Sequence, residues 1–430
     1  MRDMHRNTHR LPSFLIVALL VLTACSDNND GWHDGLDRPR EPGPGPAPLA
    51  PELLMDQATP APGIPDGMSF PDGIAVFPGP NGEELIFNEG NRQRRILINS
   101  IDNPPLVHDV VVESATDDPE GGKDSNAQIC EDSEGNRIFG EDTGQKPGAP
   151  NFAHAGWGVF DRDMKQVGKL TPTSVSPDNQ LESFGCGMAR DGSGRLFVSE
   201  VGSQRVGATS GQLIVFFPDP EKGFRVWPDN VPASGYPNDK FSDNYCKIAI
   251  DLSTASSIAV DVDNNVYVAN AGNGTVVVFR PPFPTGPDLA GGCSGTDPTR
   301  APMVDPAVDP LNREDFVTFA TAGLFSPSGI VQSPVTGNWY VSSVFDGKIL
   351  EISEDGTTVY QTILDPANNN PPESSFTPGG LPLSSGHPYG LALDSKGTLY
   401  FTDMQLQGTL PKVGPTTGKG KVWRIRFQDE

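Results

Sequence analysis

The chain has 430 residues, with 31 basic against 55 acidic side chains for a net charge of −24, and carries 48 Gly and 43 Pro. Gly and Pro together make up about a fifth of the chain, against roughly 12% on average. That excess excludes long helices, while 36% hydrophobic and only 20% charged residues exclude a disordered polyanion. Gly shows no three-residue period, which excludes collagen, and the acidic balance argues against sequence-independent binding of nucleic acid, which needs basic surface.

Residues 1–10 carry Arg2, Arg6 and Arg10, and an apolar run follows from Phe14 to Leu22. A basic region, a short apolar region and small residues make a secretory signal, and the run is too short to span a bilayer stably. Leu22-Thr23-Ala24-Cys25 resembles the bacterial lipobox, whose Cys is acylated and becomes the first residue of the mature chain. The resemblance implies a signal peptide over 1–24, lipidation of Cys25 and attachment to the membrane through it. Cleavage would leave 406 residues and, with three Arg and one Asp lost, a net charge of −26. Ser26 after the Cys points to the outer rather than the inner membrane. Residues 25–65 then read as a flexible Pro/Gly-rich tether, with Glu41-Pro42-Gly43-Pro44-Gly45-Pro46-Ala47-Pro48 favouring extended backbone. Leu53, Leu54 and Met55 break that pattern and are expected to dock on the domain behind.

From residue 66 onward one sentence recurs. Pro71-Asp72-Gly73-Ile74-Ala75-Val76, Glu84–Asn88 and Arg95–Ile98 are matched by Gly187–Ala189, Arg195–Glu200 and Gln212–Phe216. They are matched again by Ser257–Asp261, Asn265–Asn270 and Thr275–Phe279, by Pro327–Val331, Trp339–Ser342 and Lys348–Ile352, and by Pro388–Asp394, Thr398–Asp403 and Lys421–Ile425. A worn sixth copy holds Gln128–Cys130, Arg137–Phe139 and Gly158–Asp161. Starts fall near 73, 128, 187, 257, 329 and 390. Fourth strands read at Val107–Val112, Lys165–Leu170, Phe224–Trp227, Phe316–Phe319 and Thr358–Ile363. Short strands copied six times bury their faces only against neighbouring copies, which predicts an all-β, six-bladed β-propeller over 66–430. The last copy stops at its third strand, so a strand from the N-terminal side of Phe70 is expected to close the ring.

The wording Ser257–Asp261, Asn265–Asn270 and Thr275–Phe279 resembles NHL repeats, and the chain more broadly resembles the six-bladed group of SMP-30 and gluconolactonase-like proteins. In that group a divalent metal sits near the first-strand starts, on an Asp in Pro-Asp-Gly and on Asn residues. The resemblance transfers Asp72 and Asn126, whereas Gly185-Cys186-Gly187, Pro327-Ser328-Gly329 and Pro388-Tyr389-Gly390 supply no carboxylate or amide. A zinc lyase of peptide amidation shares the architecture with three His ligands; here His108, His154 and His387 would have to converge.

Polar residues fall where channel ligands would be held. Asp72, Asn126, Ser256, Ser328, His387 and Tyr389 stand near first-strand starts, and Glu89, Glu141, Glu200, Asn270 and Asp403 at second-strand ends. From this ring we take Asp72, Asn126, Glu200, Asn270, His387 and Asp403 as the candidate channel-mouth site. Its oxygens would suit Ca²⁺ or another hard divalent cation, although no cofactor is established by the residues themselves. Cys130, Cys186, Cys246 and Cys293 are an even set with no CxxC pair, which in an oxidising compartment predicts two disulfides, preferably Cys130–Cys186 and Cys246–Cys293. The sequence thus predicts a lipid-anchored cell-envelope propeller, facing periplasm or exterior, that binds a protein, glycan or small molecule. Insertions at 228–255, 281–314 and 364–386 are the expected binding loops. The alternative is a divalent-metal-dependent hydrolase or lyase of the lactonase type.

Overall fold

The computed structural model describes residues 43–56, 71–89, 92–113, 123–143, 156–170, 185–200, 211–225, 245–284, 312–365, 387–404, 406–409, 412–415 and 420–428, and every structural statement here concerns these. The segment 1–24 expected to be a signal, Cys25, Phe70, His154 and Cys293 lie outside them.

The repeats fold as blades. After β1 (Glu52–Met55), blade 1 is β2 (Pro71–Gly79), β3 (Gly82–Glu89), β4 (Arg92–Leu97) and β5 (His108–Glu113). Blade 2 is β6 (Lys123–Glu131), β7 (Arg137–Thr143), β8 (Gly156–Phe160) and β9 (Gln166–Leu170). Blade 3 is β10 (Gly185–Arg190), β11 (Leu196–Glu200), β12 (Gly211–Phe216) and β13 (Tyr245–Leu252). Blade 4 is β14 (Ala255–Val260), β15 (Val266–Asn270), β16 (Thr275–Arg280) and β17 (Asn312–Val317). Blade 5 is β18 (Pro327–Gln332), β19 (Trp339–Ser343), β20 (Lys348–Ile352) and β21 (Val359–Leu364). Blade 6 has β22 (Pro388–Leu393) and β23 (Leu399–Asp403), a hairpin of β24 (Leu406–Thr409) and β25 (Lys412–Pro415), then β26 (Lys421–Ile425).

Each blade is a four-stranded antiparallel sheet, and blade 6 has the order β22-β23-β26-β1. The expected closing strand is therefore Glu52–Met55, paired through Glu52 with Arg424 and Met55 with Val422. First strands of successive blades lie side by side, with β22 against β2, so the ring is complete. This is a six-bladed β-propeller. Among the described residues no helix is long and apolar enough to cross a membrane.

Six hydrophobic clusters account for the ring, one in each seam between blades. Blades 6 and 1 share Ala392, Tyr400 and Val422 with Ile74, Val76, Leu85 and Phe87. Blades 2 and 3 share Ile138, Trp157 and Val159 with Met188, Val198 and Phe216, and Trp157 meets Phe216 edge-on at 5.6 Å between centroids. A buried Val, Leu, Ile or Phe contributes about 1.5–3 kcal/mol over an exposed one. The apolar stripes on both faces of every blade thus hold the circle together, and no blade has a dry core of its own.

The acidic turns close the hairpins. Asp132, Asp161, Asp191, Asp261 and Asp394 each accept the backbone N–H groups two and four residues on, at 2.8–3.0 Å. A carboxylate does the work of a backbone acceptor in these Asx turns. Tyr267 and Tyr400 donate to the second oxygens of Asp261 and Asp394, at 2.9 and 3.0 Å. These turns mark one face of the disc, the turn face. On the opposite mouth face first strands begin and second strands end.

Three sequence expectations are corrected. The fourth strand of blade 4 is Asn312–Val317 rather than Phe316–Phe319, because Phe319–Ala322 forms a helical turn. The fourth strand of blade 3 is Tyr245–Leu252, not Phe224–Trp227, of which 226–227 lie outside the described residues: Asp219 and Gly223 pair in a tight turn, and Phe224 after it is buried in the seam between blades 2 and 3. The proposed loop 228–255 accordingly ends in a strand. The tether boundary also moves, because residues 43–52, read as part of the tether, lie on the propeller, while Leu53, Leu54 and Met55 dock there as expected, in β1. Leu49 N donates to Arg426 O at 2.7 Å and Gln428 N to Ala47 O at 2.9 Å.

Candidate functional site

Each first strand carries a register shift at its mouth end, at Pro71/Ile74, Asn126/Cys130, Gly185/Gly187, Ala255/Ile258, Pro327/Ile330 and Pro388/Leu391. A bulge of this kind re-aims side chains and backbone locally. All six candidate residues belong to this end of the blades. The side chains of Asn126 and Glu200, like those of Glu141 and Cys186, lie outside the described residues.

The remaining candidates are engaged by the frame. Asn270 accepts Ser253 N at 2.7 Å. Asp403 accepts His387 N at 2.8 Å, and Ser343, in the same position of blade 5, accepts Ser326 N at 3.0 Å. In three blades, then, the side chain ending the second strand holds the backbone that leads into the first. Asp72 is 7% exposed and its Oδ1 takes Gly73 N at 2.5 Å. Glu89, an expected oxygen ligand, forms a fully buried ion pair with Arg94, whose Nη1 also lies 3.6 Å from Met55 Sδ. Such a pair costs heavily in desolvation and is tolerated only with both partners present.

His387 is wholly buried before β22. Burial pushes its imidazole below the ordinary histidine value, against the opposing pull of the Asp403 carboxylate. His108 sits on β5, the fourth strand of blade 1, whereas His387 precedes the first strand of blade 6, so these two do not converge on one centre. Among the described residues no three His, Cys, Asp or Glu side chains gather as metal ligands. Cys130 and Cys246 are buried in different seams, and neither is a free thiol.

A second repeated device, missed in the sequence, lies just inside this ring. Thr402 Oγ1 accepts Gly390 N at 2.9 Å and donates to Asp72 O at 2.7 Å; Ser342 Oγ accepts Gly329 N at 2.8 Å and donates to Tyr389 O at 2.8 Å. Ser199 likewise donates to Ser256 O. The Thr402 and Ser342 hydroxyls each link their own first strand to the first strand of the next blade, and Ser199 reaches the first strand of blade 4. The glycines are required by the close approach. A Cβ on Gly390 would lie 2.3 Å from Asp72 O, and one on Gly329 2.2 Å from Tyr389 O.

Blade 2 has Gln128 at this glycine position. Its Oε1 accepts Met188 N, Ser257 Oγ and Ile258 N, each at 3.1 Å. One buried carboxamide therefore joins the first strands of blades 2, 3 and 4. The repeat alignment held the clue, since a long polar residue replaces the glycine found in four other copies.

By the strands they connect, the three insertions do not share a face. Residues 226–244 and 285–311 join third to fourth strands and leave from the turn face, whereas 366–386 joins blade 5 to blade 6 at the mouth.

The fold and its mouth define the class, a β-propeller closed by an N-terminal strand. No family model matches the chain, and no curated protein sequence matches it. Among solved structures it is similar to a gluconolactonase from Xanthomonas campestris, at 13% identity and a TM-score of 0.47 over 90% of this chain and 99% of that one. It is similar to a calcium-binding regucalcin from Agrobacterium tumefaciens, at 11% identity and 0.46 over 89% and 94%. It is also similar to virginiamycin B lyase from Staphylococcus aureus, at 10% identity and 0.43 over 88% and 99%. The assignment of the fold rests on the strand order above, not on these likenesses.

Proposed function

We propose that the protein is a lipid-anchored propeller of the cell envelope that binds a protein, glycan or small molecule, with the disc as scaffold rather than reaction centre. The observation that carries this reading is the commitment of the strand-end polar groups. Asn270, Asp403 and Ser343 hold backbone N–H groups, and Glu89 is neutralised by Arg94. A metal centre of the lactonase type at this mouth would take those oxygens away from the frame that places them.

The anchored part of the reading is supported by the basic and apolar run ahead of Leu22-Thr23-Ala24-Cys25. Two acyl chains suffice for stable anchoring. The compartment this implies is oxidising and suits disulfides at Cys130–Cys186 and Cys246–Cys293. Intact mass of the mature protein tests the anchor: the chain should begin at Cys25 with acyl groups attached, and Cys25→Ser should release it from membranes. An unmodified N-terminus elsewhere sinks the anchored reading. The binding role is tested by crosslinking on cells with photoreactive groups at Phe325 and Phe345, a ring pair near the blade 5 mouth of which Phe325 is half exposed. Specific adducts support it; adducts no different from those at Val262, on the turn face, oppose it.

A further inference from the structure

The Pro/Gly tract has a built receptor on blade 5. In Gly43-Pro44-Gly45-Pro46-Ala47-Pro48 every second residue lacks an N–H, so the backbone offers mainly carbonyl acceptors. The side chains facing it match that pattern. Asn338 Nδ2 donates to Gly43 O at 3.0 Å, and Gln361 Nε2 donates to Gly45 O and Pro46 O at 3.3 and 3.1 Å. At the Gly45 N–H, between Pro44 and Pro46, the site supplies an acceptor: Gly45 N donates to Glu351 Oε1 at 3.0 Å. Glu351 is fully buried and is held in turn by Asn338 Nδ2 at 2.7 Å and Gln361 Nε2 at 2.6 Å. A Cβ on Gly45 would lie 2.7 Å from Glu351 Oε1, so the site reads glycine there. Past Pro48, which bridges to Phe427, the chain continues into the β1–β26 pairing, and Phe427 stacks on Tyr340 of blade 5 at 5.6 Å.

We propose that Asn338, Glu351 and Gln361 form a dedicated clamp for an extended, alternating Gly/Pro peptide, occupied by residues 43–46 of this chain. The clamp fixes the N-terminal segment to blade 5 ahead of the closing strand on blade 6. A pull from the N-terminal side then meets blade 5 before it can peel β1, whose loss would open the ring and bare the edge of β26. That mechanical role rests on the anchored-tether reading; the docking itself does not.

The test is hydrogen exchange on the full mature chain. Gly45→Ala should speed exchange over residues 43–50 about tenfold, as about 1.4 kcal/mol of lost local protection implies. Exchange in the first strands of all blades should stay unchanged. Gln361→Ala, at a half-buried side chain that spares the core, should act in the same direction, and the double variant should add little because both release one clamp. Unchanged exchange over 43–50 in both variants overturns the clamp, as does equal acceleration across all six blades. An unlipidated Cys25 with protected 43–50 would remove the anchor reading and leave the clamp standing.

Discussion

Thr402 Oγ1 lies 2.7 Å from the backbone oxygen of Asp72, a hydrogen bond across 330 residues that joins the last blade to the first. Ser342 to Tyr389 and Ser199 to Ser256 repeat it at two other seams. Ring closure therefore has two parts. β1 completes the outer side of blade 6, and Thr402 fastens the same blade to blade 1 near the axis. The first candidate ligand residue, Asp72, gives its carbonyl to that seam.

Thr402→Val keeps the shape and removes both hydrogen bonds, leaving Gly390 N and Asp72 O without this partner. It should destabilise the protein by roughly 1–3 kcal/mol, while Thr402→Ser, which keeps the hydroxyl, should lie close to the parent. Urea unfolding of the three proteins checks this.

Gly390→Ala drives a methyl into Asp72 O and should cost about 1–3 kcal/mol or more, since backbone cannot yield as a side chain can. Gly323→Ala meets no atom within 4 Å and suffers only from its φ of 66°, a penalty of about 1–2 kcal/mol. Gly390→Ala should also loosen the seam between blades 6 and 1, seen as faster exchange in β2 and β22, where Gly323→Ala should not.

Gln128 can be tested by shape against chemistry. Gln128→Glu retains an oxygen for Met188 N, Ser257 Oγ and Ile258 N, whereas Gln128→Met fills similar space with no comparable acceptor. The Met variant should lose about 2 kcal/mol or more, because buried N–H groups are left unpaired. The Glu variant should retain most stability at neutral pH and lose it on acidification. Equal stability of the two variants at pH 7.5 would argue that Gln128 merely packs.

Stability should fall as pH drops from about 6.5. His387 and His108 are both held below the ordinary histidine value, chiefly by burial, so the unfolded chain binds their protons first. The sign follows: each contributes fully above the unfolded value and progressively less below it. His387→Gln should flatten the melting-temperature profile between pH 7 and 5, and a profile as steep as the parent's would remove this residue from the cause.

The repeat order and the closing strand were legible because alternation of apolar residues in short strands leaves a direct trace. Phe224–Trp227 misled because an aromatic that follows a turn and is buried in a seam looks like a strand in sequence, while the strand at Tyr245–Leu252 is separated from β12 by a long insertion. The Pro/Gly tract showed extended backbone but not its partners, which lie about 300 residues away in Asn338, Glu351 and Gln361. The polar mouth residues were found, yet Asn270 as a metal ligand and Asn270 as the acceptor for Ser253 N are the same letter at the same place. Only geometry separates a ligand from a cap.

The most direct test of the central claim is thermal unfolding of the protein against Ca²⁺ and Zn²⁺, with a chelator as reference. If the mouth oxygens serve the frame, the curves superimpose at every concentration, while Asp403→Ala and Asn270→Ala lower the melting temperature with or without metal. A saturable rise with either ion, abolished by Asp72→Ala, would contradict the account and restore a metal centre to the mouth.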